Sequence, residues 1–170
     1  GLGLNWPTGQ INSPVSTAID LGTGRTAVAV STGEKHTCAI LDDGSLKCWG
    51  YGNYGQLGDG GTMNDYSPVP VDLGTGRTAV AVSAGYDHTC AILDNGDMKC
   101  WGQDSNGQLG DGSGGPTSTE APSSTPIDLG TGRTAVAASA DWTHTCAILD
   151  NGDMKCWGRD DYGQLGDGGS

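Results

Sequence analysis

Three histidines and six cysteines are the residues of this chain best suited to chemistry, and they recur at fixed spacing. The triplets His36-Thr37-Cys38, His88-Thr89-Cys90 and His144-Thr145-Cys146 are each followed by a second cysteine, Cys48, Cys100 or Cys156. Such a set could bind a metal, close a disulfide or arm a thiol. A structural zinc site needs four ligands. Each repeat offers only Cys, Cys and His, without Cys-x-x-Cys spacing. Each cysteine pair is instead centred on a turn: Asp42-Asp43-Gly44, Asp94-Asn95-Gly96 or Asp150-Asn151-Gly152. Pairing Leu41 with Ser45 across that three-residue loop sets Cys38 opposite Cys48 at a non-hydrogen-bonded position. The Cα atoms there lie ~4.5 Å apart, inside the disulfide range. Disulfides Cys38–Cys48, Cys90–Cys100 and Cys146–Cys156 are the favoured reading, with free thiols and metal binding as the alternatives. Disulfides imply an oxidising compartment, so an extracellular or cell-surface location is expected.

The other candidate groups read as structural. A histidine repeated three times inside a strand motif is expected to make a structural hydrogen bond, because catalysis needs one asymmetric constellation and none is visible. The chain is therefore not expected to be an enzyme, and no cofactor is expected. Trp49, Trp101 and Trp157 stand at equivalent positions and should fill space between repeats rather than stack on a ligand. Asp59, Asp111 and Asp167 and the Asp-Asn-Gly turns lack the spacing of known calcium loops, so turn chemistry explains them better. An ion pair is expected between Asp20, Asp72 or Asp128 and the arginine five residues on, Arg25, Arg77 or Arg133. Five of the aromatics outside the repeated tryptophan positions, Trp6, Tyr54, Tyr86, Trp142 and Tyr162, are the candidate contact surface.

Composition sets bounds on partners. The 170 residues carry 20 acids against 8 bases, a net charge of −12. No basic patch is available to neutralise phosphates, so nucleic acid is not an expected partner. No apolar run reaches the ~18 residues of a membrane span, so membrane insertion is not expected. Glycine is abundant at 31 residues and phenylalanine is absent.

The elements that must position these residues repeat as well. Leu-Gly-Thr-Gly-Arg-Thr-Ala-Val-Ala begins at Leu21, Leu73 and Leu129, and Gly-Gln-Leu-Gly-Asp-Gly begins at Gly55, Gly107 and Gly163. The spacing is 52 and then 56 residues, the extra four falling in a Ser/Thr/Pro-rich stretch from Ser113 to Pro126. Alternation predicts strands over Thr26–Val30, His36–Leu41 and Ser45–Gly50, with a fourth through Pro68–Val71. No helical period is found. Four short strands per ~50 residues suggest a propeller blade. Val-Ala-Val-Ser-Ala-Gly, His-Thr-Cys-Ala-Ile-Leu, Cys-Trp-Gly and Gly-Gln-Leu-Gly-Asp-Gly, in that order, resemble the regulator-of-chromosome-condensation repeat from about residue 14 to the end. That resemblance implies four-stranded blades, usually seven in a closed ring. The family's functions run from nucleotide exchange on a small GTPase to enzyme inhibition.

The expected fold is thus all-β: three four-stranded antiparallel blades in an open arc, completed by another chain or by further repeats. The division read from the repeats is 1–12, an N-terminal arm or the end of a preceding repeat; 13–66, blade 1; 67–124, blade 2 with the insertion; and 125–170, blade 3. The chain begins at Gly1 and reads as a processed product or an excerpt. It ends just before a strand like Ser67-Pro68-Val69 would begin, and Ser13-Pro14-Val15 echoes that strand. Residues 113–125 look like an O-glycosylation target. Two functions follow. One is an extracellular structural repeat that self-associates through its open blade edges, as a ring or filament and by strand donation. The other is a secreted propeller module, cut from a larger chain, that binds a protein or glycan.

Overall fold

The structure, a computed structural model, describes residues 13, 14, 16–113 and 118–169. Among these, only strands and turns form. The first sheet contains β1 (Ala27–Thr32), β2 (His36–Leu41), β3 (Leu46–Gly50) and β4 (Asp65–Pro70), antiparallel and in chain order. The second repeats it with β5 (Ala79–Ala84), β6 (His88–Leu93), β7 (Met98–Gln103) and a two-residue β8 (Ser118–Thr119). The third holds β9 (Ala135–Ala140), β10 (His144–Leu149) and β11 (Met154–Gly158). Where the first two sheets add an outer strand, the described residues of the third supply none. The first sheet runs on to Pro70, so β4 crosses the sequence division at 66/67. Pro68 is tolerated because β4 is an edge strand, where a missing N–H costs little.

The hairpins form as the turn residues dictate. Leu41 N–H donates to the Ser45 carbonyl at 2.9 Å, closing the three-residue loop, and Gly44 takes φ +77°. That left-handed conformation is what a residue at this loop position requires. The register then sets Cys38 against Cys48, Cys90 against Cys100 and Cys146 against Cys156. All three pairs are disulfides with Cα atoms 4.1 Å apart. Each closes a loop of about ten residues, which stabilises by roughly 3 kcal/mol on the chain-entropy estimate.

The blades pack face to face, β5 lying against β1 and β2, and β9 against β5 and β6. The far face of the first blade (Cys38, Ile40, Leu46, Cys48, Leu57) meets the near face of the second (Ala91, Leu93, Trp101). The second and third blades repeat that core with Cys90, Ile92, Met98 and Leu109 against Ala147, Leu149 and Trp157. Val28, Val80 and Val136 are exposed alike on the innermost strands, so their exposure belongs to the blade and not to an end of the arc. The far face of the third blade differs. Ile148 and Met154 are 43% and 67% exposed, against 1% and 0% for Ile92 and Met98. Blade packing, not the hairpin, is what buries these positions.

The same contrast predicts the order of reduction. Cys38, Cys48 and Cys90 are fully buried and Cys100 nearly so, whereas Cys146 and Cys156 are half-buried on the uncovered face. Limited phosphine reduction of the dilute chain, followed by alkylation and peptide mapping, should label Cys146 and Cys156 first. Earlier labelling of Cys90 and Cys100 would contradict this packing.

Candidate functional site

The most specific chemistry lies in the seams between blades. After β3 the Gly-Gln-Leu-Gly loop turns the Gln56 backbone carbonyl toward the second blade. That carbonyl accepts from Thr89 Oγ1 at 2.8 Å and from Trp101 Nε1 at 3.1 Å. Thr89 Oγ1 also lies 2.8 Å from His36 Nε2. A hydroxyl has one proton, and Thr89 gives it to Gln56, so it must accept from His36. His36 therefore carries its proton on Nε2. The second seam repeats every part. The Gln108 carbonyl accepts from Thr145 Oγ1 at 2.9 Å and Trp157 Nε1 at 3.0 Å, and His88 Nε2 meets Thr145 Oγ1 at 2.9 Å.

Neighbouring contacts lock each seam in register. Ala84 N–H donates to Ser31 Oγ at 3.0 Å, and Ala140 N–H to Ser83 Oγ at 2.8 Å. Ala79 N–H reaches the Gly44 carbonyl at 2.8 Å, and Ala135 N–H the Gly96 carbonyl at 2.9 Å. Gly58 explains part of the repeated loop motif: a Cβ there would stand 2.5 Å from Trp101 Nε1, and its φ is +73°. The Gln56 side chain donates to Asp87 Oδ1 at 2.9 Å. Gln108 Nε2 is buried without a partner, because Thr143 stands where the second repeat has Asp87.

At the two ends of the arc the seam is half made. Thr37 and Trp49 are the first-blade counterparts of Thr89 and Trp101, and no described residue offers them a histidine and a carbonyl. His144, Ser139 and Gly152 are the third-blade counterparts of the groups that face a following blade. Gly44 and Gly96 are packed against Thr78 and Thr134, but Gly152 has nothing within 4 Å. The two faces carry the two halves of the pattern that each inner seam joins.

Several sequence expectations change place. The arginines do not pair with the aspartates five residues before them. Asp20, Asp72 and Asp128 accept the N–H two residues ahead, from Gly22, Gly74 and Gly130 at 2.8–2.9 Å. Arg25 reaches Asp42 and Asp43, Arg77 reaches Asp94 and Arg133 reaches Asp150, at 3.1–3.5 Å. The carboxylate that closes the Asx turn is already used, and the hairpin turn sits nearer. These exposed pairs are worth under ~1 kcal/mol each.

The described candidate contact aromatics are spread over the three blades. Trp6 lies outside the described residues. Tyr54 sits edge-on to Tyr51 with ring centroids 6.3 Å apart, and Tyr162 is 90% exposed on the third blade. Tyr86 and Trp142 do come together, with ring centroids 5.3 Å apart. Each stands two residues before its histidine, where the first repeat has Glu34. Counting back from His36, His88 and His144 would have found this. The three loops converge on a cavity of about 430 Å³.

With this geometry defined, the chain can be compared with known proteins. The fold is that of β-propeller blades. A model of the Regulator of chromosome condensation (RCC1) repeat matches residues 27–56, 79–108 and 134–164, and a second RCC1 repeat model matches residues 43–92. The chain belongs to the RCC1 repeat family. It is 32% identical over 154 residues to the ultraviolet-B receptor UVR8 of Arabidopsis thaliana, covering 90% of this chain and 34% of the receptor. It is 32% identical over 143 residues to the human E3 ubiquitin-protein ligase HERC2, covering 84% of this chain and 3% of that protein. Among solved structures, Prp20p of Saccharomyces cerevisiae superposes with a TM-score of 0.74 at 21% identity, over 85% of this chain and 36% of that one. The CRINKLY WD40 ectodomain of the Arabidopsis thaliana receptor kinase ACR4 gives 0.50 at 22% identity, over 82% and 40%. The chain thus spans about a third or less of the curated relatives named here.

The seam histidines make stability depend on pH. Burial holds the His36 and His88 imidazoles down to about 4, from an ordinary 6.5. In the unfolded chain they protonate near the ordinary value, so the stabilisation is complete above it. It is lost as pH falls from 6.5 through 4. The loss should be on the order of 3 kcal/mol per histidine. Urea unfolding at a series of pH values should show it, and the double variant His36→Gln/His88→Gln should flatten it. An unchanged slope in that variant would contradict the assignment.

Proposed function

We propose that the chain is a non-catalytic binding and assembly module of RCC1-type blades, completed at its two ends by further blades and, where these are other copies of itself, building a ring or filament. The observation that carries this reading is the complementarity of the end faces. A second copy set behind the third blade would bring Thr37 Oγ1 to His144 Nε2, and both Thr37 and Trp49 to the Gln164 carbonyl. It would also cover Ile148, Met154 and the third disulfide. Such a contact is heterologous, so it closes a ring or runs on as a filament according to its rotation. An N-terminal strand lent by the neighbour would complete the third sheet beside β11. The repeat division at 13–66, 67–124 and 125–170, the N-terminal arm and O-glycans on 113–125 belong to this reading. Three disulfides support an extracellular or cell-surface setting.

A second reading is a secreted module, part of a larger propeller, that binds a protein or glycan through its loops. The share of its relatives that the chain spans supports it, as does the name of the Prp20p structure, which describes binding to Gsp1p and histones.

Sedimentation and electron microscopy of the disulfide-intact chain test the first reading. Mass should grow with concentration. Thr37→Val and His144→Leu should each weaken association at least tenfold. Mixing the two variants should restore one intact seam and yield heterodimers that grow no further. A monodisperse monomer at high concentration would rule out self-assembly and leave the second reading.

A further inference from the structure

The loop cavity at the inner ends of the blades has the chemistry of a cation site. Gly33 and Glu34 enter it from the first blade, Gly85 and Tyr86 from the second, Asp141 and Trp142 from the third. The Tyr86 and Trp142 rings are tilted by 35° with centroids 5.3 Å apart, forming a wedge rather than a flat platform. Trp142 remains 62% exposed, a large apolar surface beside carboxylates. Glu34 lies beside Tyr86 and holds its hydroxyl above the usual phenol range.

This cluster already holds an ammonium of its own. Lys35 Nζ stands 5.9 Å from the Tyr86 ring centroid and 5.6 Å from that of Tyr51, with Glu34 Oε2 at 3.1 Å. An aromatic face plus a carboxylate is the environment that favours a cation. The third blade differs, carrying an aromatic, Trp142, where the first repeat has Glu34. Thr143 stands where the first repeat has Lys35, and Trp142 and Asp141 are exposed. Among the described residues, no lysine or arginine lines the cavity. A net charge of −12 draws cations toward it.

We propose that this cavity binds the ammonium group of a lysine side chain on a basic peptide, Trp142 and Tyr86 packing on its stem and head, with Glu34 and Asp141 balancing its charge. Trp142 neighbours the third-blade end face, two residues before His144, whereas Tyr86 belongs to the middle blade, both faces of which are packed within the chain. Tyr86→Leu therefore leaves the end faces intact, and the two readings can fail separately.

The test is a titration of the disulfide-intact chain, followed by the Trp142 indole N–H resonance. The probe is the peptide acetyl-Gly-Ala-Lys-Ala-Gly-amide, compared with the same peptide carrying norleucine in place of lysine. The lysine peptide should shift the resonance and saturate, and norleucine should bind at least tenfold more weakly. By calorimetry, Trp142→Ala should lower lysine-peptide affinity tenfold or more. Tyr86→Leu and Glu34→Gln should each lower it severalfold, and Tyr162→Ala should not change it. Equal binding of the norleucine peptide, or affinity unchanged by Trp142→Ala, would overturn the proposal. So would a response to cellobiose with none to the lysine peptide, which would make the rings a sugar platform.

Discussion

A single backbone carbonyl in each seam, that of Gln56 or Gln108, accepts two hydrogen bonds from the next repeat. The rest of the inter-blade order depends on it. A buried carbonyl left unpaired costs more than a paired one gains. The loop that presents it can therefore hold one position only when the next blade's threonine and tryptophan are in place. The threonine then has no proton left to give, which fixes the histidine tautomer behind it. The requirement passes from one repeat to the next as donor, acceptor and donor. Leu57 and Leu109 are buried beside these carbonyls, and Gly58 and Gly110 leave room for the indoles. The repeated Gly-Gln-Leu-Gly is thus an inter-blade connector, its glutamine acting mainly through its backbone.

The disulfides serve the same end from the other side of the blade. This chain has few large apolar residues and no phenylalanine. In the first two blades the cysteine pair occupies the centre of the far face, buried among Ile40 and Leu46 or Ile92 and Met98. The bridge both restrains the hairpin and supplies apolar volume where the next blade lands. In the third blade the same pair is half-buried, because no described blade follows. One sequence motif therefore gives a sealed bridge or an accessible one according to what is stacked upon it.

The strands, the three-residue hairpins and the cysteine pairs were legible because they are local. Turn residues, period-two alternation and a ten-residue separation state them directly. Trp101 and Trp157 were legible as blade packing because they recur with the motif. The pairs His36–Thr89 and His88–Thr145 were not legible as pairs. Each joins residues more than fifty positions apart, and only the stacking angle of the blades brings them together. The Asp20–Arg25 expectation failed for a local reason: an Asx turn takes the carboxylate first. Tyr86 and Trp142 share a position two residues before the histidine, which the repeat states, but their ring contact comes only from the stacking of the blades. The third sheet shows where repetition stops helping: its hairpin follows the repeat, but its described residues supply no outer strand.

If the seam node is what couples one blade to the next, a double-mutant cycle on the first seam measures that coupling directly. The variants are His36→Leu, Thr89→Val and the two combined, with urea unfolding at neutral pH as the readout and intact disulfides confirmed by mass. The single variants should each destabilise the chain by about 1–3 kcal/mol. The double variant should fall short of their sum by about 1 kcal/mol or more, because the pair shares one hydrogen bond. Additivity within about 0.3 kcal/mol would mean that the two side chains act independently. The blades would then be held by apolar packing alone.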